Sequence, residues 1–384
     1  MKKILMIASD NYAGSGAFQS MTKLCVLLRD KYNYIPTVLL CVDGDGEQLL
    51  KDNKIHFIKI KTFNWIVNTD YKWTLAKKIK RDVKRLLNRY YALQIAKYIQ
   101  KEHIALIHIN TSYSYVGIFA GRLANIPVIW HIREFLEEDQ NACIWIKNGV
   151  SFMNRANAAV AISKGIFNKY APLLDPGKIH LIYNGIDPQR FYFPEKDIFK
   201  KSKVSILSIG NMGGGKGQDD LLRAAAILNQ NGLTQWHISF VGSGILESKY
   251  RTLAVELGLS EFVSFHGLQK DTVPYYKEAD IFIMSSSSEA FGRTTVEALL
   301  AGCLVIGSQS GATPELLNYG NAGMLYRKGD TKHLAEVLKY ALLNKEVVCN
   351  IAKKGQQFAI ENFTAEVNAM HVAHLYESTL QANE

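Results

Sequence analysis

Ile281-Phe282-Ile283-Met284, then Ser285-Ser286-Ser287-Ser288, then Glu289-Ala290-Phe291-Gly292-Arg293-Thr294-Thr295-Val296-Glu297, then Ala298-Leu299-Leu300-Ala301-Gly302 is the most informative stretch of this chain. A short apolar run gives way to a serine loop and then to a helical pattern closed by glycine, the strand–loop–helix unit of a parallel sheet. In open α/β sheets ligands sit beyond the carboxyl ends of the strands. Chemistry is therefore expected in the residues that follow Met284. Gly292 separates two acids, with Glu289 on the loop and Glu297 in the first turn or so of the helix. Between them the N–H groups near Arg293, Thr294, Thr295 and Val296 point out of the helix start, where the dipole favours an anion. A nucleotide diphosphate docked there would bring Glu297 to ribose hydroxyls and Glu289 to a sugar, because a carboxylate accepts two hydrogen bonds in one plane. A plainer reading stands equally on the residues alone: Glu297 complements the helix dipole and Glu289 is a solvated loop residue.

Working outward, the same unit recurs. Apolar β-rich runs at Ile4–Ala8, Thr37–Cys41, Ile104–Ile109, Pro127–His131, Ala158–Ile162 and Ile179–Tyr183 alternate with helical stretches. A second series follows Asp187-Pro188, at Val204–Ile209, His237–Val241, Phe262–Phe265, Ile281–Met284 and Leu304–Ile306. The alternation predicts an α/β protein of two doubly wound, Rossmann-like domains, 1–189 and 190–364. Residues 365–384 are helical in pattern, lack a strand of their own, and are expected to return to the first domain.

The totals agree. A chain of 384 residues suits two ordinary domains, and 48% hydrophobic with 21% charged residues sets aside disordered and fibrous classes. No run approaches the roughly 20 apolar residues of a membrane span, and Lys2-Lys3 leads into an apolar run too short for a signal peptide, so a cytosolic protein is expected. Five scattered cysteines, Cys25, Cys41, Cys143, Cys303 and Cys349, have neither metal nor redox spacing and read as small buried hydrophobes.

A glycine loop follows the first strand of each series. Gly14-Ser15-Gly16 opens a helix expected over Phe18–Arg29, but Gln19 stands where a dinucleotide fingerprint needs its third glycine. It reads as a loop for phosphate approach, with a plain tight turn or a dinucleotide site as alternatives. Gly210-Asn211-Met212-Gly213-Gly214-Gly215-Lys216-Gly217 meets the P-loop pattern through its lysine and fails at the Mg²⁺-binding hydroxyl, where Gly217 stands. It suits a diphosphate bound without an obligatory metal, so no cofactor is expected. Asp43-Gly44-Asp45 has the form of a metal-binding D-x-D but closes the second strand of a domain read as six-stranded, and is taken as a polar turn.

The Glu289–Glu297 string has the E-x7-E form of family 4 retaining glycosyltransferases and closely resembles that family's version. Other matches fall in the right order over nearly the whole chain: the Gly14/Gly16 loop, Trp130-His131-Ile132-Arg133-Glu134-Phe135, Ser163-Lys164, Tyr183-Asn184-Gly185-Ile186-Asp187, Lys216-Gly217-Gln218, Val241-Gly242-Ser243-Gly244, Phe265-His266-Gly267 and Gly311-Ala312-Thr313-Pro314-Glu315. The resemblance, of the bacterial envelope or capsular polysaccharide type, implies a GT-B fold and sugar transfer from a nucleotide-diphosphate-sugar, a UDP-sugar first among them. The acceptor it implies is a glycan, carried on a polyprenyl lipid. It assigns Lys216 to the diphosphate, Glu297 to the ribose, Glu289 to the transferred sugar, and the Phe291 and Gly292 amides to sugar hydroxyls. Gly242, Gly267 and Leu268 would line the base pocket, and His131 would lie beside the sugar and acceptor; a hydrogen-bonded strand-end histidine is the alternative there. The family commonly carries an arginine where this chain has Asn211, a charge that we expect Arg293 to replace in part.

The net charge of +10 is concentrated. Lys72, Lys77, Lys78, Lys80, Arg81, Lys84, Arg85 and Arg89 stand against Asp82, a local +7, and the remainder is nearly balanced. As a helix, this segment puts Leu75, Ile79, Val83, Leu86 and Tyr90 on one stripe and Lys77, Lys80, Arg81, Lys84 and Arg85 on the other side. After Tyr91 the apolar positions change face, so two segments are expected, the first able to lie on an anionic membrane at its inner face and the second packed on the sheet. The alternative is a solvated helix whose apolar stripe joins the core. An inverting GT-B transferase or a sugar-nucleotide epimerase shares the architecture. A nucleic-acid-binding protein would use the basic segment but leave Glu289 and Glu297 without a role, so no nucleic-acid partner is expected.

Overall fold

The computed structural model describes residues 1–146, 149–194 and 196–383. They divide into two compact units, Met1–Gly185 with Ala365–Glu384, and Ile186–Thr364. The division falls after Gly185 rather than after 189. Ile186 joins the second unit because its N–H donates to the Phe363 carbonyl at 2.9 Å and it bridges to Thr364.

In the first unit the strands are β1 (Lys2–Ala8), β2 (Tyr34–Leu40), β3 (His56–Lys59), β4 (Ile66–Asn68), β5 (Ile104–Ile109), β6 (Val128–Ile132), β7 (Ala142–Ile144), β8 (Ala158–Ala161) and β9 (Ile179–Leu181). Seven form a parallel sheet ordered β3-β2-β1-β5-β6-β8-β9, one strand more than the sequence reading gave. The extra strand is β3, whose edge position leaves His56 and Lys59 exposed and hides its apolar signal. A separate antiparallel ribbon joins β4 to β7. The central strands are mostly apolar because helices cover both faces, with His108 and His131 the buried exceptions on β5 and β6: Ile4, Met6, Val38, Leu106, Ile129 and Val160 are buried in one core. The C-terminal helix Ala365–Gln381 packs against the first helix, Gly16–Tyr32, and contributes Val372 and Tyr376 to that core. Tyr376 meets Tyr34 edge-on at 5.4 Å.

The second unit holds β10 (Val204–Ile209), β11 (Trp236–Val241), β12 (Val263–Phe265), β13 (Ile281–Met284), β14 (Leu304–Ser308) and β15 (Met324–Tyr326), parallel and ordered β12-β11-β10-β13-β14-β15. In each sheet the strand order reverses at the first strand, β1 or β10, so the crevice for a ligand opens at the glycine loop that follows it.

The basic segment is one helix. Leu75–Glu102 runs unbroken for 28 residues, capped by the Thr74 hydroxyl on Lys77 N–H, and not as two segments. No glycine or proline interrupts it, and Leu, Ala, Lys, Arg and Gln favour continuation. The change of apolar face needs no break. Asn88, Ala92, Ile95, Ala96 and Ile99 bury the second half, while Leu75, Ile79, Val83, Leu86 and Tyr90 remain exposed in the first, Leu75 at 76%. Their stripe does not join the core.

Candidate active site

In the second unit the loops after β10 and β13 are laced together. Gly217 sits at φ 68°, and a Cβ there would lie 2.2 Å from the Ser285 carbonyl oxygen, so only glycine lets the two loops touch. The Ser285 hydroxyl donates to the Lys216 carbonyl at 2.8 Å, and the Ser287 N–H to the Gly215 carbonyl at 2.8 Å. This lacing delivers Lys216 to Glu289: Nζ lies 2.6 Å from Oε1, which also accepts from the Ser286 hydroxyl at 2.7 Å. Glu289 is clamped from behind by Ala312 N–H, which donates to its carbonyl at 2.9 Å.

Gly292, at φ 88°, caps the helix Arg293–Leu300, so that Glu297 falls in its second turn rather than the first. The amides of Thr295 and Val296 already donate to the Gly292 carbonyl, at 3.1 and 3.4 Å. Two of the amides assigned to an anion from sequence are thereby spent, because the glycine cap tightens the first turn. Buried Glu297 accepts from the Tyr276 hydroxyl at 2.9 Å through Oε2 and lies 3.7 Å from Arg293 Nη2 through Oε1. Burial, then the charge of Glu297, holds the Tyr276 hydroxyl well above the usual phenol range, so it remains a donor. Thr294 is half-buried, whereas Phe291 is buried and packs edge-on against Phe363. Gly242 N–H donates to the Gly267 carbonyl at 2.8 Å, and Leu268 beside it is 75% exposed; Asn211 is exposed on its loop.

The structure thus brings Lys216, Glu289, Gly292, Arg293 and Glu297 onto two adjoining loops and one helix start. Sequence reading missed Ser286 and Tyr276. Ser286 is one of four serines with nothing to distinguish it, and Tyr276 reaches Glu297 only through the fold.

Gly14, Gly16 and His131 lie in the first unit. Ser15 caps the first helix, its hydroxyl accepting from Phe18 N–H at 3.4 Å, and Gly16 begins it. Asp45 turns back to accept from Ala13 N–H at 2.8 Å, so the D-x-D turn supports the loop with its own carboxylate. His131, on β6, is fully buried, and burial followed by the charges of Arg133 and His108 holds its pKa well below the usual imidazole range. The basic residues of the long helix lean on aromatic rings: Lys77 on Tyr71 at 4.3 Å, Arg81 on Trp73 at 5.3 Å, Lys84 on Phe63 at 5.4 Å. Lys80 is exposed, and Arg85 lies 3.8 Å from Asp82.

A family model described as "Glycosyl transferases group 1" matches residues 189–358, and one described as "Glycosyltransferase Family 4" matches 39–190. The chain belongs to this glycosyltransferase family. Among its relatives is the N-acetyl-alpha-D-glucosaminyl L-malate synthase of Bacillus anthracis, 23% identical over 76% of this chain and 79% of that one. Another is the N-acetylgalactosamine-N,N'-diacetylbacillosaminyl-diphospho-undecaprenol 4-alpha-N-acetylgalactosaminyltransferase of Campylobacter jejuni, 30% identical over 44% of this chain and 46% of that one. The matches span about half the length of several curated relatives. Among solved structures, Anabaena Alr3699/HepE in complex with UDP superposes with a TM-score of 0.80 at 21% identity, over 98% of this chain and 100% of that one. The glycosyltransferase has the GT-B fold of two Rossmann-like units, as the sequence reading expected.

Proposed function

We propose that this glycosyltransferase moves a sugar, with retention of anomeric configuration, from a UDP-sugar to a glycan carried on a polyprenyl lipid, in cell-surface polysaccharide synthesis. The observation that carries the reading is the Lys216–Glu289 pair, held at 2.6 Å beside the Gly292-capped helix start. One cation, one carboxylate and a helix N-terminus converge there, which suits a diphosphate joined to a sugar. Lys216 leaves Glu289 for the diphosphate, and Glu289 turns to the sugar hydroxyls. Glu297, braced by Tyr276, accepts from the ribose. Phe291 and Gly292 amides meet the sugar, Arg293 adds the charge that Asn211 lacks, and Gly242, Gly267 and Leu268 border the base. Catalysis is then positioning and stabilisation of the departing diphosphate, with its own oxygen taking the acceptor's proton. Glu289 serves as a hydrogen-bonding group and not as a nucleophile.

The names of relatives support the coarser parts: one structural neighbour is described with UDP bound, and one curated relative acts on a diphospho-undecaprenol substrate to make a 4-alpha linkage. The exposed stripe Leu75, Ile79, Val83, Leu86 and Tyr90, flanked by lysines and arginines, suits a lipid surface of negative charge. Among the described residues no helix is long and apolar enough to cross a membrane, so contact would be along the surface. A thermal-shift screen of UDP-, GDP- and ADP-sugars, followed by NMR of the product anomer, tests the reading. Stabilisation by a UDP-sugar and a product of retained configuration support it; no stabilisation by any nucleotide sugar, or an inverted product, counts against it.

A further inference from the structure

At the end of the first sheet away from its glycine loop, the amino ends of β6 and β8 border a cavity of about 460 Å³. The helix Val116–Ala124 ends beside it. Gly121 lets that helix lie directly on β6, since a Cβ there would meet Val128 Cγ2 at 2.3 Å. Arg122, Asn125, Arg155, Asn157 and Asn383 give the cavity its polar wall. Among the described residues that line it, none is acidic.

The wall is built of donors. Hydrogen bonds fix which way the Asn157 amide points: its Oδ1 accepts from Val128 N–H at 3.0 Å, while its own backbone N–H donates to the Val128 carbonyl at 2.8 Å. With the oxygen spent, Nδ2 is left as a donor that meets no acceptor among the described residues. Arg155 is set by a ring. Its guanidinium lies over Phe152 at 4.7 Å, and Phe152 is braced edge-on by Phe119 at 5.8 Å. A guanidinium stacked in this way keeps its in-plane N–H groups for another partner. Arg122 is exposed in the last turn of the helix. Neither guanidinium makes a hydrogen bond or ion pair among the described residues, whereas Arg29, Arg81, Arg251 and Arg327 each hold a carboxylate at 2.7–2.9 Å. Two cations at one cavity without a counter-ion repel, and an anion between them removes the repulsion.

We propose that this cavity is a binding site for a phosphate group, gripped by Arg122 and Arg155 and oriented by Asn157 Nδ2. Guanidinium forks match phosphate oxygens. Three donor groups from three separate points of the chain suit an ion whose oxygens lie out of one plane better than they suit a planar carboxylate. The site stands apart from Lys216, which belongs to the other unit, and it does not rest on the transfer reading above.

Titration of inorganic phosphate into the full chain labelled with ¹⁵N-arginine tests the site, with NaCl at matched ionic strength as the control. Arg122→Gln and Arg155→Gln assign the two Nε–H signals. Both signals should move on one saturable curve, and the curve should be the same in Lys216→Ala. Asn157→Asp keeps the acceptor for Val128 N–H and sets a carboxylate between the cations. It should weaken phosphate binding roughly tenfold or more, the loss of one charge-assisted hydrogen bond. Signals that stay still, move without saturating, or move equally with chloride overturn the site, as does a phosphate affinity untouched by Asn157→Asp. Should Asn157→Asp not fold, Arg122→Gln should weaken the phosphate response of Arg155 by a similar factor, and an unchanged response there counts against the site. A sugar 1-phosphate and phosphatidylglycerol vesicles, titrated in the same way, separate the sources of the phosphate. Tighter saturation by the sugar phosphate assigns the site to a soluble ligand, and tighter saturation by the vesicles to a lipid headgroup.

Discussion

The loop after β1 and the loop after β10 occupy the same place in their sheets and differ in what fills them. After β10 the loop offers Lys216, and the carboxylate that meets it, Glu289, comes from a neighbouring loop as a side chain that can turn away. The loop after β1 carries no cation of its own, and Asp45, from the turn after β2, takes its Ala13 amide. Asp10 in the loop after β1 is pushed up by burial, partly countered by Ser15 and by the Arg133 charge. Two glycine loops at equivalent switch points thus carry side chains of opposite sign, Asp10 in the first and Lys216 in the second. The second suits a diphosphate; the first suits hydroxyl-rich groups. Glycine supplies approach, and the sign of the neighbouring charge decides what approaches.

Several variants would break or sharpen this contrast. Lys216→Ala should have the largest effect, lowering kcat by roughly 10²–10³-fold, the usual loss when a group aimed at developing charge is removed; steady-state kinetics with the donor found in the screen would show it. Arg293→Ala, removing the charge we assign in place of the missing arginine, should weaken UDP binding by about 1–3 kcal/mol, as for a charge-assisted hydrogen bond. Unchanged affinity in calorimetry would reject that substitution of roles. Asp45→Asn, in the turn after β2 that braces the first loop, should leave UDP affinity near wild type; a large gain would mean that the first loop also receives phosphate. Smallest for the donor is the change of Lys77, Lys80, Arg81, Lys84 and Arg85 to Gln, which should leave UDP binding intact and release the protein from anionic liposomes. A wild type that does not sediment with such liposomes at low salt would remove the membrane reading.

How much of this was legible beforehand follows from where each signal lives. Ile281–Met284 is a fully apolar strand and Val204–Ile209 is apolar but for Ser205 and Ser208, and the bounds of both coincide with the runs read from sequence. β3 and β15 escaped because short or edge strands carry little apolar contrast: His56 and Lys59 face solvent, and Met324 and Leu325 are only half-buried. The long helix was read as broken because its stripe changes face. That reading held one rigid helix unable to serve two surfaces, whereas Leu75, Ile79, Val83, Leu86 and Tyr90 stay exposed and Ile95 and Ile99 are buried on one unbroken helix. At the site, Glu289, Gly292 and Glu297 could be picked out because they share one short string. Tyr276 could not, since it acts on Glu297, brought to it from 21 positions away.

The claim on which the rest depends is that the second unit binds a nucleotide diphosphate through Lys216 and Glu297. Calorimetric titration of UDP into the full chain in EDTA, with wild type, Lys216→Ala and Glu297→Ala side by side, tests it most directly. The account predicts binding by the wild type without metal and an affinity at least about tenfold weaker, or 1.4 kcal/mol, in each variant. Equal affinity in all three, or wild-type binding only after Mn²⁺ is restored, would contradict it.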